Sequence, residues 1–123
     1  MTHNAFTKHL YCIGIGGVGV SAIAKIALHQ GIRVSGSDMR RSPLVDDLIQ
    51  AGADIVLQPD PSRIQAGMTI VYSDDVPEHH SERVAGRNLS LPAMSFAEAL
   101  GVVMSSSAHR IAIAGTNGKS TTT

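Results

Sequence analysis

Two glycine-rich segments of the sequence have the composition of loops that bind phosphate groups. The first, GIGGVG, spans residues 14–19 and places Gly14, Gly16 and Gly19 in the spacing G-x-G-x-x-G. In such a loop the first glycine permits a tight turn, the second lets the backbone approach a diphosphate, and the third allows the following helix to pack closely. We expect the N–H groups of residues 17–19 to meet the phosphates at the positive end of the helix dipole.

Two polar side chains are placed to complete this first site. Asp38 ends the second predicted strand, where its carboxylate suits ribose hydroxyl groups. With the strand order 3-2-1-4-5, the binding crevice opens between strands 1 and 4, so that Ser73, at the end of the fourth strand, faces Gly16 across it. Asp74 is expected in a solvated turn, because a carboxylate beside a diphosphate is repulsive. The loop alone does not distinguish an NAD-type dinucleotide from a UDP-sugar.

The second segment, GTNGKST, follows four apolar residues near the end of the sequence. A strict phosphate-loop pattern requires a glycine at position 113, which is Ile113, so only the shorter G-x-x-G-K-S remains. In such a turn the backbone N–H groups form an anion-binding nest, Lys119 reaches the β- and γ-phosphates, and the Ser120 hydroxyl ligates Mg²⁺. The predicted ATP-phosphate residues are Gly115, Thr116, Asn117, Gly118, Lys119, Ser120 and Thr121.

The elements that must position these loops alternate between strands and helices. Strand-like segments are HLYCIGI, IRVSGSD, ADIVLQ, MTIVYS and LSLPAM, and the helical patterns between them favour right-handed crossovers in a parallel sheet. Ser42-Pro43 is a helix-start signal, and Ser95 with Glu98 matches a capping box. The predicted fold is α/β, a doubly wound (Rossmann-like) parallel sheet of five strands in the order 3-2-1-4-5.

The pattern also predicts how the chain is divided. Residues 1–104 form the nucleotide-binding domain, 105–109 a serine-rich linker, and 110–123 the start of a second domain, with RIAIAG as its first strand. Because the second phosphate loop lacks the helix that would complete it, we expect the chain to be an N-terminal module that ends just inside the next domain. We expect no measurable ATP affinity from this piece.

Composition excludes several classes of protein. The 123 residues are 43% apolar with zero net charge and only 3% aromatic, which indicates neither a disordered tail nor a nucleic-acid-binding surface. Cys12, the single cysteine, lies in an apolar run and is expected to be a buried, inert thiol. No signal peptide or membrane-spanning segment is present, so the expected location is the cytoplasm. His79-His80 is expected to be a surface pair and not a metal site.

Together the two loops resemble the N-terminal part of the Mur ligase family. The resemblance rests on CIGIGGVGVSAIAKIALHQGIRVSGSD, LIQAGADIVLQ, IVYSDDVPE and IAIAGTNGKSTTT, and extends from about Lys8 to Thr123. Within the family, the motifs are most similar to those of members that add L-alanine to UDP-N-acetylmuramate in peptidoglycan synthesis. The family has a UDP-binding domain, a central ATPase domain and a C-terminal domain.

The resemblance also implies site residues and a reaction. The UDP-sugar-binding residues would be Gly14, Ile15, Gly16, Gly17, Val18, Gly19, Ser37, Asp38 and Ser73. Lys119 and Ser120 would be catalytic, with Ser120 on Mg²⁺ in the complete enzyme only. There ATP phosphorylates the muramoyl carboxylate and the amine of L-alanine attacks the acyl phosphate. We expect the isolated chain to bind a UDP-sugar at most and to be inactive.

Three positions depart from the pattern of the alanine-adding members. Asn117 stands where they usually carry histidine, Ser73-Asp74 replaces a serine pair, and Gln58-Pro59 replaces Gly-His. A muropeptide-recycling ligase or one that adds a later amino acid therefore remains an alternative. Two others are a domain that binds NAD(H) and a non-catalytic partner module.

Overall fold

Five parallel strands form one sheet in the order β3-β2-β1-β4-β5, as predicted. The structure is a computed structural model that describes residues 8–114, with only the backbone described for 106–114. The strands are β1 (His9–Ile13), β2 (Arg33–Ser37), β3 (Asp54–Val56), β4 (Met68–Tyr72) and β5 (Ala93–Ser95). The helices are α1 (Val18–His29), α2 (Pro43–Gln50), α3 (Ser81–Asn88) and α4 (Phe96–Ala114), with a 3-10 turn at Pro61–Arg63.

Helices cover both faces of the sheet, which explains why β1, β2 and β4 are almost continuously buried. On one face, side chains of β1 such as Leu10 pack with α1, α2 and the first turns of α4 in an aliphatic cluster. On the other face, Tyr11 and Ile13 pack with α3 and the 3-10 turn. Tyr11 is fully buried, so an aromatic ring takes part in the core on this face.

The predicted helix-start signals are present in the structure. The Ser42 side chain accepts the N–H of Val45 at 3.3 Å, with Pro43 in the first turn of α2. At α4, the Ser95 hydroxyl accepts the N–H of Glu98, whose carboxylate accepts the N–H of Ser95 in return. Both devices satisfy amides that a helix leaves unpaired at its start. They therefore fix where the chain turns back from the edge of the sheet.

The prediction for residues 105–114 was wrong in its secondary structure. The structure continues α4 through Ala114, where the sequence suggested a linker at 105–109 followed by a strand. The segment contains no proline, and a short apolar run such as 111–114 fits a helix as well as a strand. The assignment of 110–123 to a second domain stays a prediction, and residues 115–123 lie outside the described part.

Within residues 8–114, no helix is long and apolar enough to cross a bilayer. The same part of the chain contains no cluster of three or more His, Cys, Asp or Glu side chains suited to a metal ion. Cys12 is fully buried, and burial raises the pKa of its thiol to about 12. The prediction of a buried, unreactive thiol is therefore confirmed.

Candidate functional site

The turn after β1 is built on the backbone of Gly14. Its φ of +76° lies in the left-handed region that favours glycine. The N–H groups of Gly14 and Ile15 both donate to the carbonyl oxygen of Ser37, at 2.9 and 3.0 Å. A Cβ on Gly14 would lie 2.9 Å from the Ser73 hydroxyl oxygen. This glycine therefore lets the ends of β1, β2 and β4 come together.

The first turn of α1 begins beside a carboxylate. The N–H of Gly16 donates to Asp38 Oδ2 at 2.8 Å, and that of Gly17 donates to the Gly14 carbonyl at 3.0 Å. Gly17 has no side chain that caps the helix. Among the described residues, the N–H groups of Val18 and Gly19 have no acceptor at hydrogen-bonding distance. Two of the three amides expected to face an anion are thus available, and the third closes the turn.

Gly19 has a packing role in this structure. A Cβ placed on it would lie 2.6 Å from the ring of Phe96, the first residue of α4. The close approach that the third glycine permits is therefore between α1 and the start of α4. Gly19 supports the position of α1, and its atoms do not form the wall of the cavity described next.

A cavity of about 670 Å³ opens at the carboxyl ends of β1, β2 and β4. This is the edge at which open α/β sheets bind ligands, where the strand order reverses. Of the nine residues predicted to bind the UDP-sugar, six line it: Gly14, Gly16, Gly17, Ser37, Asp38 and Ser73. The other three do not, since Ile15 is buried in the core, Val18 is 81% exposed and Gly19 packs on Phe96.

Asp38 sits at the centre of this arrangement. Its Oδ2 accepts the Gly16 N–H, and its Oδ1 accepts the N–H of Arg40 at 2.9 Å. Each oxygen of a carboxylate has a second lone pair, so both remain able to accept a ligand hydroxyl. A diphosphate placed directly against Asp38 would be repelled. The side chain therefore fits the sugar part of a nucleotide better than its phosphates.

The sequence did not indicate the far wall, which is formed by Val76, Pro77 and His80 after β4. Arg83 of α3 holds this loop by donating to the Val76 carbonyl at 3.1 Å, and its guanidinium lies 3.7 Å from the centre of the Tyr72 ring. His80 Nδ1 accepts the N–H of Glu82 at 3.1 Å and caps α3. A neutral His80 with this cap carries its proton on Nε2.

Behind the wall lies a carboxylate that the sequence analysis also missed. Glu82 is fully buried and accepts three hydrogen bonds. Tyr11 Oη and Ser37 Oγ donate to it at 2.5 Å each, and the N–H of Asp60 donates at 2.9 Å. Burial, followed by the hydrogen bond to Glu82, raises the pKa of Tyr11. The Ser37 hydroxyl, predicted to contact the ligand, thus has its proton engaged by Glu82.

Comparison with known proteins relates this chain to one family. The sequence profile described as Mur ligase family, catalytic domain, matches residues 9–108. UDP-N-acetylmuramate–L-alanine ligase of Clostridium acetobutylicum is 42% identical over 120 residues, which are 98% of this chain and 26% of that protein. The enzyme of the same name from Paenarthrobacter aurescens is 43% identical over 93% of this chain and 25% of its own length. The chain thus spans about a quarter of these relatives.

Solved structures agree with this relationship. UDP-N-acetylmuramate-alanine ligase of Thermotoga maritima superposes with a TM-score of 0.75 over 80% of this chain and 23% of that chain, at 21% identity, which shows the shared fold. UDP-N-acetylmuramate:L-alanyl-gamma-D-glutamyl-meso-diaminopimelate ligase of Neisseria meningitides superposes with a TM-score of 0.64 over 72% of this chain and 28% of that chain, at 29% identity. With a family profile that covers most of its length, the chain belongs to the Mur ligase family.

Proposed function

We propose that this chain is the UDP-N-acetylmuramate-binding part of an ATP-dependent ligase that adds L-alanine to that nucleotide in peptidoglycan synthesis. The observation that carries the proposal is the cavity at the carboxyl ends of β1, β2 and β4, beside the uncapped first turn of α1. Its volume of about 670 Å³ is within the range typical of small-molecule sites.

The polar groups around the cavity suit the two parts of a UDP-sugar. The positive end of α1, where Gly16 and Gly17 line the cavity, favours the diphosphate, as does the charge of Arg40 on the same wall. Asp38 and the hydroxyl of Ser73 favour the hydroxyl groups of ribose or of the sugar. A site with this division of charge attracts the diphosphate at one end and repels it at the other. The ligand is thereby oriented.

The proposal for ATP rests on the sequence and on membership of the family, since residues 115–121 lie outside the described part. In the complete enzyme, ATP supplies the phosphoryl group that activates the muramoyl carboxylate for attack by the amine. Lys119 would hold the phosphates and Ser120 a Mg²⁺ ion. Residues 1–104 would bind the nucleotide sugar and 110–123 would begin the ATPase domain, in a cytoplasmic enzyme. The chain alone would bind substrate without turnover.

Two relatives of the chain differ in the group that is added to the nucleotide sugar. The names of the Clostridium and Neisseria relatives both include UDP-N-acetylmuramate and differ in what is joined to it. The cavity described here is proposed to hold this shared substrate. A ligase that recycles muropeptides therefore remains the second candidate, favoured by the 29% identity to the Neisseria protein.

Isothermal titration calorimetry on the chain tests the proposal directly. We expect UDP-N-acetylmuramate to bind with 1:1 stoichiometry, UDP to bind more weakly, and NADH and ATP to give no signal. Preferential binding of NADH would replace the proposal with an NAD(H)-binding domain. If no uridine nucleotide shifted the melting temperature, a non-catalytic partner module would be favoured. ATP binding that disappeared in Lys119→Ala would show that the phosphate loop functions in this chain alone.

A further inference from the structure

Glu82 is the only fully buried carboxylate among the residues that the structure describes. Burying a carboxylate is costly unless hydrogen bonds replace its water, and an apolar residue at such a place is often at least as stabilising. Glu82 nevertheless lies on a helix whose other side chains are mostly polar and partly exposed. Stability alone is thus a weak reason for this residue.

The hydrogen bonds of Glu82 connect three separate segments of the cavity wall. Ser37, at the end of β2, donates to Oε1. The N–H of Asp60 donates to Oε2 and fixes the loop next to Pro59, which lines the cavity. The Glu82 N–H donates to His80, which lines it as well. One residue therefore sets the relative positions of β2, the loop after β3 and the start of α3.

The same network determines the direction of the Ser37 hydroxyl. Its proton is donated to Glu82, so only its oxygen lone pairs remain for a ligand. We propose that Glu82 is a positioning residue of the nucleotide-sugar site, which makes Ser37 an acceptor for a ligand O–H or N–H group and not a donor to a phosphate. This inference rests on the proposed function. It specifies how the site distinguishes the sugar or base of the nucleotide sugar from its diphosphate.

The variant Glu82→Gln tests the inference, because it keeps the shape of the side chain and replaces one acceptor oxygen with a donor. An amide NH₂ facing Ser37 would reverse the hydroxyl. We expect the Kd for UDP-N-acetylmuramate, measured by calorimetry, to rise about tenfold, the equivalent of ~1.4 kcal/mol. Tyr11→Phe is the matched control: it removes another hydrogen bond to the same carboxylate, but Tyr11 does not line the cavity. Its Kd should stay within about twofold of the original.

A double-mutant cycle separates positioning from stability. In a Ser37→Ala background, Glu82→Gln should change the Kd by less than about twofold, because the side chain through which it acts is gone. Additive effects of the two substitutions on the Kd would overturn the inference. So would a loss of affinity in Tyr11→Phe as large as that in Glu82→Gln, since the network would then act only through stability.

Hydrogen exchange of the unliganded chain provides a measurement that does not depend on the proposed function. We expect the Asp60 amide to exchange at least about tenfold faster in Glu82→Ala, which removes its acceptor oxygen, beyond any change in the amides of β1. Equal changes at Asp60 and in β1 would contradict a positioning role. If the original chain bound no uridine nucleotide, the proposed function would fail, and this exchange result would still decide whether Glu82 positions the wall.

Discussion

The backbone N–H of Gly16 donates to the carboxylate of Asp38 across the gap between two strand ends, at 2.8 Å. The contact joins the loop after β1 to the loop after β2. It also engages the N–H of Gly16 itself, the second glycine of the motif. The glycine loop and the acidic residue, which in sequence are two separate parts of a nucleotide-binding pattern, are one hydrogen-bonded unit before any ligand arrives.

Gly16→Ala should break this unit. A Cβ at this position would lie 2.8 Å from Asp38 Oδ2 and 3.0 Å from a methyl group of Val45. Since the carboxylate must move and give up a hydrogen bond, we expect a loss of ~1–3 kcal/mol in the free energy of unfolding, measured with urea. The Kd for UDP-N-acetylmuramate should rise at least about tenfold, because the new methyl group also enters the cavity wall.

Gly101 provides the control for that substitution. It lies inside α4, and a Cβ placed on it would meet nothing within 4 Å. Gly101→Ala should therefore stabilise the chain by ~0.5–1 kcal/mol, as alanine does in a helix interior, and leave the Kd unchanged. If Gly16→Ala were as stable as Gly101→Ala, the contact between Gly16 and Asp38 would not be part of the folded structure in solution.

Gly19→Ala tests the contact between α1 and α4. The added methyl group would lie 2.6 Å from the Phe96 ring, so that either the ring or the helix must shift. We expect destabilisation by ~1–3 kcal/mol in urea unfolding. Combined with Phe96→Leu, which shortens the opposing side chain, the alanine should cost less than half as much. Strictly additive free energies would show that the two positions are not in contact.

The strands and most of the helices were predictable because their determinants are local. Each strand is a short apolar run, and the helix caps at Ser42 and Ser95 are read directly from neighbouring residues. The doubly wound arrangement then follows from the short crossovers. The end of α4 was not predictable in this way, because the apolar run at 111–114 has no strong stop signal before it and fits either type of element.

The candidate site was predictable where a known motif spacing or the end of a strand marks its residues. Gly14, Gly16 and Asp38 were found from their spacing in the sequence and line the cavity. Glu82 was not found, because its partners Tyr11 and Ser37 are 71 and 45 residues away. In the sequence it is one acidic residue in a polar helix, which is typical of a solvated face. Only the crossover that brings α3 under β1 and β2 buries it.

Ser95→Ala tests the capping box at the start of α4. In the original chain the Ser95 hydroxyl accepts the Glu98 N–H at 3.2 Å. The substitution removes this acceptor and should lower the free energy of unfolding by ~1 kcal/mol. In a domain of this size such a loss lowers the melting temperature by about 4 °C or more. Ser105→Ala is the control, since Ser105 is an exposed residue within the same helix. It should leave the melting temperature unchanged or raise it slightly, and an equal loss in both variants would argue against the cap.

Alkaline pH should destabilise the chain through Cys12 of β1, whose thiol is fully buried in the cluster that β1 forms with α1, α2 and α4. Burial raises the pKa of this thiol from 9.0 to about 12, so the unfolded chain releases the proton at lower pH than the folded chain. The stabilisation is therefore complete below pH 9 and is lost between about pH 9 and 12, by at most ~1.4 kcal/mol per pH unit. Urea unfolding between pH 8 and 11 measures the slope, and Cys12→Ala should reduce it by this amount. Burial also raises the pKa of Tyr11. Tyr11 therefore adds a slope of the same sign to the pH dependence of unfolding, and Tyr11→Phe removes that slope. A slope that neither substitution changed would mean that other groups control alkaline unfolding.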